Sequence, residues 1–128
     1  MNLIKFKDFQ LIFTPSYIQM EIFHEGHFGV KDYEECLQMK LEAYGEKKKI
    51  GILVKRINPE DKYSFDPMLL ISGKKSIEAH ANWVILVSDR YVDALNLKFV
   101  KILTSLYCLH FLEYNEALQI INSGSLPG

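Results

Sequence analysis

The amino-acid sequence predicts an α/β fold: a mixed, mostly parallel five-stranded sheet wound as a β-α superhelix, with its helices packed mainly on one face. Three observations carry this expectation. Trp83-Val84-Ile85-Leu86-Val87 is an apolar run rich in β-branched residues and closed by Ser88-Asp89-Arg90; a run so short and so apolar reads as a strand covered on both faces. Phe9–Thr14 and Tyr17–Phe23 both alternate and flank Pro15-Ser16, the pattern of an antiparallel pair joined by a turn. Beyond that pair, strand and helix patterns alternate in the order ββαβαβαβα. Successive strand–helix steps in one direction need right-handed crossovers, and the simplest winding leaves sequence neighbours adjacent in the sheet.

In the first pair, Phe9, Leu11 and Phe13 share a face, as do Ile18, Met20 and Ile22, while Gln19 and Glu21 point the other way. That second face is expected to be wet or only partly covered. His24-Glu25-Gly26-His27 reads as a loop. Asp32 opens the first helix, with Glu35 completing an Asp-x-x-Glu capping pattern. Tyr33, Leu37, Leu41 and Tyr44 form its apolar stripe, and Gly45 is a natural terminator. Ile50–Ile57 is the next strand, with Ile50, Ile52 and Val54 on one face. Asn58–Phe65, which contains Pro59, reads as a polar loop. Asp66-Pro67 starts a helix through Met68, Leu69, Ile71 and Ile77. Gly73 weakens that helix by about 1 kcal/mol relative to Ala and predicts a kink or a mobile segment. After the Trp83 strand, Ser88-Asp89 caps a helix whose apolar positions are Val92, Leu95, Phe99, Ile102, Leu103 and Leu106. Tyr107–Glu113 is the last strand, and Asn115 caps a closing helix through Ala117, Leu118, Ile120 and Ile121.

Length and composition bound the function. The chain has 128 residues, which suggests one domain, placed at residues 1–122 with a flexible tail at 123–128. A hydrophobic content of 48% is enough for a core without disulfides. With 15 basic and 16 acidic residues the net charge is −1, which argues against a nucleic-acid partner held by bulk electrostatics. Two cysteines, Cys36 in a helix and Cys108 in a core strand, read as buried thiols rather than a disulfide framework. No apolar run is long enough for a signal peptide or, at about 20 residues, a membrane span. The expected location is therefore the cytoplasm.

No motif supports chemistry. His24-x-x-His27 lacks the third and fourth ligands that zinc requires, so the pair reads as part of a solvated loop and no metal is expected. Lys47-Lys48-Lys49 follows a helix C-terminus, where cations are favourable; as a contact for anionic lipid the run is short. His110 reads as a hydrogen-bonded strand residue. No Gly-x-Gly-x-x-Gly and no Gly-x-x-x-x-Gly-Lys stands at a strand end, so no cofactor is expected. The histidines, Cys36, Ser64 and Ser88 carry no local nucleophile–base signature, and no catalytic residue is assigned.

The C-terminal half resembles a known family. Ala81-Asn82-Trp83-Val84-Ile85-Leu86-Val87-Ser88-Asp89 is similar to the hydrophobic strand, ending in a small residue and Asp, of the SpoIIAA-like branch of the STAS-like domains. Leu109-His110-Phe111-Leu112 followed by Asn115-Glu116-Ala117-Leu118 resembles that branch's closing strand and helix start. The likeness follows the order of elements over nearly the whole chain. It implies a STAS-like fold and a non-enzymatic module that binds proteins, some relatives sensing small ligands. In the anti-anti-sigma members a Ser in an Asp-Ser-Ser-Gly-like run, at the start of the helix after the third strand, is phosphorylated. Here the matching region is Tyr63-Ser64-Phe65-Asp66-Pro67; Asp66 takes the cap and Ser64 stands two residues earlier, which puts that switch in doubt.

Two functions compete. The first is a regulatory module acting through a protein partner. In open α/β sheets sites gather outside the carboxyl ends of the strands, so Ser64, Asp66, Ser88, Asp89 and Arg90 are the expected regulatory or partner contacts. A homodimer through a half-covered face is compatible with the pattern. The second is a carrier or sensor of a small apolar or lipid-like ligand, admitted by the weak helix around Gly73. An enzyme of unassigned type is the remote alternative.

Overall fold

The computed structural model describes residues 2–23, 26–58 and 63–128. In chain order the elements are β1 (Asn2–Lys5), β2 (Phe9–Phe13), β3 (Tyr17–Ile22), β4 (Gly26–Phe28), α1 (Val30–Tyr44), β5 (Ile50–Arg56), β6 (Tyr63–Phe65), α2 (Met68–Ser72), α3 (Lys74–His80), β7 (Ala81–Val87), α4 (Tyr91–Leu103), β8 (Tyr107–Phe111) and α5 (Tyr114–Asn122). The main sheet runs β1-β2-β3-β5-β7-β8, and β4 pairs with β6 in a separate two-stranded sheet. From β3 onward sequence neighbours within the main sheet are spatial neighbours, as the one-way winding requires.

Several expectations are corrected. The sheet has six strands, not five, because Asn2–Lys5 pairs antiparallel with β2. Four residues are too few to register an alternation, and Leu3 is exposed. With β1–β2 and β2–β3 antiparallel and β3–β5, β5–β7 and β7–β8 parallel, the sheet is mixed rather than mostly parallel. Gly26-His27 and Tyr63–Phe65 are not loop: they belong to the parallel pair β4–β6. His24, Glu25 and residues 59–62 lie outside the described residues.

Helix starts shift by a few residues. Gly29, not Asp32, is the N-cap of α1; the Asp32 carboxylate sits one turn in and accepts the Gly29 amide at 2.9 Å. Arg90 and Glu113 stand at the N-caps of α4 and α5, in place of Ser88-Asp89 and Asn115. Asp66 still accepts the Met68 amide at 3.0 Å, although the helix starts one residue later than Pro67. At Gly73 the predicted helix breaks into α2 and α3. Gly45 ends α1 at φ 86°, the left-handed region that favours glycine.

Helices cover both faces of the central strands, unequally. On one face Leu53, Trp83, Ile85 and Val87 pack against Ala117 of α5, with Ile120, Ile121 and Leu126 closing around them. Gln19 is therefore buried, not wet: the Tyr114 hydroxyl of α5 donates to its Oε1 at 2.9 Å. On the other face lie α1 to α4, in two clusters centred on Phe9, Leu11, Ile50 and Leu69, and on Leu70, Ile77, Ala81 and Leu106.

Trp83 explains a glycine. Gly51 pairs with Trp83 in register, and a Cβ on Gly51 would overlap the indole. Overpacking a tight site costs about 1–3 kcal/mol, so Gly51→Ala is expected to lower the urea midpoint by that much stability with an unchanged slope. An unshifted midpoint would show that the indole has room to move aside.

Candidate functional site

The two faces differ in packing. Against α5 the side chains of Leu53, Trp83, Ile85 and Val87 pack directly on Ala117. Between the sheet and α1 to α4 lies a cavity of about 230 Å³. Its floor is one face of three parallel strands: Ile18, Met20 and Ile22 of β3, Ile50, Ile52, Val54 and Arg56 of β5, and Val84 and Leu86 of β7. Its roof comes from Tyr33, Cys36, Leu37 and Lys40 of α1, Leu69 and Leu70 of α2, Ile77 and His80 of α3, and Asp93, Asn96, Leu97 and Val100 of α4. Lys40 is the one buried residue of α1; Tyr33, Cys36, Met39 and Tyr44 are half-buried and pack on the cluster around Leu11 and Ile50, and the Tyr44 hydroxyl donates to the Thr14 carbonyl at 2.6 Å.

The carboxyl end of the cavity is closed by aromatic rings and an ion pair. Phe28 and Phe65 are opposite each other in the β4–β6 ladder, their rings stacked at 6.2 Å, and Phe9 meets Phe28 edge-on at 5.6 Å. Arg56 at the end of β5 makes a bidentate pair with Asp93 of α4, Nε to Oδ2 at 2.6 Å and Nη2 to Oδ1 at 2.8 Å. The Ser88 hydroxyl donates to the same carboxylate at 2.7 Å and accepts the Arg90 amide at 3.1 Å. Burial alone would push the Asp93 carboxyl up; the hydrogen bonds from Arg56 and Ser88 and the guanidinium charge outweigh it and hold the group below the usual carboxylate range.

The amino end is built from Lys40 and His80. Lys40 is only 3% exposed. Its Nζ donates to the Gly45 carbonyl at 2.7 Å, to the Glu46 carbonyl at 3.4 Å and to His80 Nδ1 at 2.9 Å. An ammonium has no lone pair to offer, so His80 accepts through Nδ1 as a neutral ring. Burial depresses the Lys40 ammonium; burial, then the Lys40 charge, depresses the His80 imidazolium. Burial also pushes the Cys36 thiol in the roof up to about 12, which makes it a poor nucleophile.

The residues expected from the sequence are divided. Ser88 is buried and oriented on Asp93, while Asp89 is exposed and Arg90 half-buried beside it. Ser64 is exposed on β6, its Oγ 2.8 Å from His27 Nδ1 and 3.2 Å from the Gly26 carbonyl. That Ser–His distance suits a nucleophile and base, yet among the described residues no carboxylate orients His27 and the pair lies open to solvent. His110 donates from Nε2 to the Ser88 carbonyl at 2.7 Å. Among the described residues no group of three His, Cys, Asp or Glu is placed to hold a metal, and no helix is long and apolar enough to cross a membrane.

Helix α4 also departs from expectation. Val92, Leu95, Phe99 and Ile102, read from the sequence as core, are exposed, as is Tyr91 beside them; Ile102 is 71% exposed. The residues of α4 that pack inward are Leu97, Val100 and Leu103. The helix has two apolar faces, and the one with Val92, Leu95, Phe99 and Ile102 faces solvent beside Lys98 and Lys101.

Removing one member of a buried ion pair leaves an uncompensated charge and costs about 3–5 kcal/mol. Asp93→Ala is expected to lose that much in denaturant unfolding, and the double variant Arg56→Met/Asp93→Leu to recover most of it. A carboxyl with a depressed folded pKa contributes stability that is complete above its unfolded value, near 3.9, and is lost as pH falls through the folded one. The wild type is therefore expected to lose stability below about pH 4 more steeply than the double variant. Parallel acid curves would refute this role for the pair.

No family model matches the chain, and no curated protein matches its sequence. Among solved structures, it is similar to the crystal structure of an uncharacterized protein from the DUF3478 family with a SpoIIAA-like fold from Shewanella loihica PV-4. The two share 12% identity at a TM-score of 0.61, over 88% of this chain and 90% of that one. At that identity the likeness speaks for architecture. With the strand order and helix placement above, it makes this chain an α/β protein of SpoIIAA-like fold.

Proposed function

We propose that this chain is a non-catalytic binding module that holds a small apolar ligand in the cavity between its sheet and helices α1 to α4. The observation that carries this reading is the cavity: about 230 Å³, with walls of Ile, Val, Leu, Met and Phe and polar groups only toward its ends. An apolar cavity of roughly 150 Å³ stays dry and takes up a benzene-sized molecule, so this one has room for a larger guest. The charged groups on its walls support binding over chemistry, because each is engaged: Arg56 by Asp93, Lys40 by His80 and two carbonyls. A ligand present at 100 times its dissociation constant adds about 2.7 kcal/mol to stability.

Decan-1-ol, an uncharged probe, is expected to raise the unfolding temperature and to shift the methyl resonances of Ile52, Val54 and Val84. Val84→Phe, which fills the space, is expected to abolish both effects without loss of fold. Methyl resonances that stay still in the wild type would refute the reading.

A second reading, a module acting through a protein partner, is favoured by the exposed stripe of α4. Self-association is its simplest form. Sedimentation equilibrium is expected to show concentration-dependent dimers in the wild type and a monomer in Phe99→Lys. A monomer in both would remove the homodimer and leave only other partners for that surface.

A further inference from the structure

The cavity is electrically lopsided. At its carboxyl end the Arg56 charge is matched by Asp93. At its amino end Lys40, equally buried, is held only by neutral acceptors: two carbonyls and the His80 ring. Among the described residues no carboxylate stands within ion-pair distance of Lys40; Glu46 acts on it through space without pairing. The carbonyls at the end of α1 share the positive charge but do not cancel it. A buried cation without a counter-charge is costly, and here it lies on the wall of an otherwise apolar cavity.

Resting on the apolar-ligand reading, we propose that the ligand is a medium-chain carboxylic acid, its carboxylate seated at Lys40 and His80 and its chain lying along Ile52, Val54 and Val84. The carboxylate would take the place of the Glu46 carbonyl, the longest of the three Lys40 contacts at 3.4 Å. His80 has its Nδ1 engaged by Lys40 and its Nε2–H as the remaining donor. The cavity, about 230 Å³, exceeds the size that takes a benzene-like guest and limits the chain to medium length. An amine-headed amphiphile would meet Lys40 with like charge, and an alcohol would leave that charge unmatched.

Decanoate, decan-1-ol and decylamine, titrated into the full chain at pH 7.5 below their micellar concentrations, separate the outcomes. Charge-assisted hydrogen bonds are about twice as strong as neutral ones, and decanoate is expected to bind at least about tenfold tighter than decan-1-ol, with decylamine weakest. Lys40→Met keeps the length of the side chain and removes its charge; the acid's advantage is expected to vanish while the alcohol still binds. Equal affinity of acid and alcohol for the wild type would overturn the carboxylate assignment and leave the apolar-ligand reading intact. Failure of all three to bind would overturn both. A preference for acid that survives in Lys40→Met would show the carboxylate seated elsewhere and overturn the role given to Lys40. Should Lys40→Met not fold, the wild-type ratio of acid to alcohol decides the matter alone.

Discussion

The parallel pairing of β5 with β7 is the constraint from which the rest of the structure follows. These strands are apolar on both sides, so each face must be covered, and the coverings are unequal. On one face the indole of Trp83 fills the notch over Gly51, and one short helix, α5, packs on the strands with Leu126 beside it. On the other, four helices share the task. Two are short and break at Gly73, and α1 has Lys40 as its one buried residue, with Tyr33, Met39 and Tyr44 half-buried against the strands. Four helices leave more seams between them than one does, and the apolar cavity lies on the face with four. That asymmetry links the sheet's composition to the site.

Much of this architecture was legible in the sequence because it follows period. The doubly apolar run at Trp83, the alternation on either side of Pro15-Ser16 and the glycine break at position 73 are local patterns with direct structural meaning. The resemblance to SpoIIAA-like domains rests on the Trp83 run, on Leu109–Leu112 with Asn115–Leu118 and on the order of elements, and the solved structure agrees with it at the level of fold. What stayed hidden was shorter than a period. β1 has four residues, β4 and β6 three each, and pairing at that length is decided by tertiary contact.

The candidate site was less legible, though signals were present. Arg56 continues the parity of Ile50, Ile52 and Val54, so a charge on the core side of β5 was written into the alternation. Lys40 lies seven residues after Tyr33 and four before Tyr44, on the helix face that turns inward. Apolar periodicity marks neither residue, because a charged side chain at a stripe position has the same pattern as a solvated one. Helix α4 misled in the opposite sense. Val92, Leu95, Phe99 and Ile102 keep a helical spacing and face solvent, whereas Leu97, Val100 and Leu103 keep one too and face inward; of these three the apolar pattern marks only Leu103. Periodicity identifies a face; only the packing identifies which way it points.

The stacked rings of Phe28 and Phe65 have a kinetic consequence. They stand across the carboxyl end of the cavity, and each is carried by a strand of three residues that, among the described residues, pairs only with the other. A molecule passing that end has to part the rings, and parting them means fraying a ladder of three register pairs. Such local openings cost far less than global unfolding. Residence time at that doorway would then be set by how often a small ladder opens rather than by how tightly the walls grip. Two guests of very different affinity would leave at similar rates, and a change in the ladder would alter exchange while the occupied and empty states kept their relative energies.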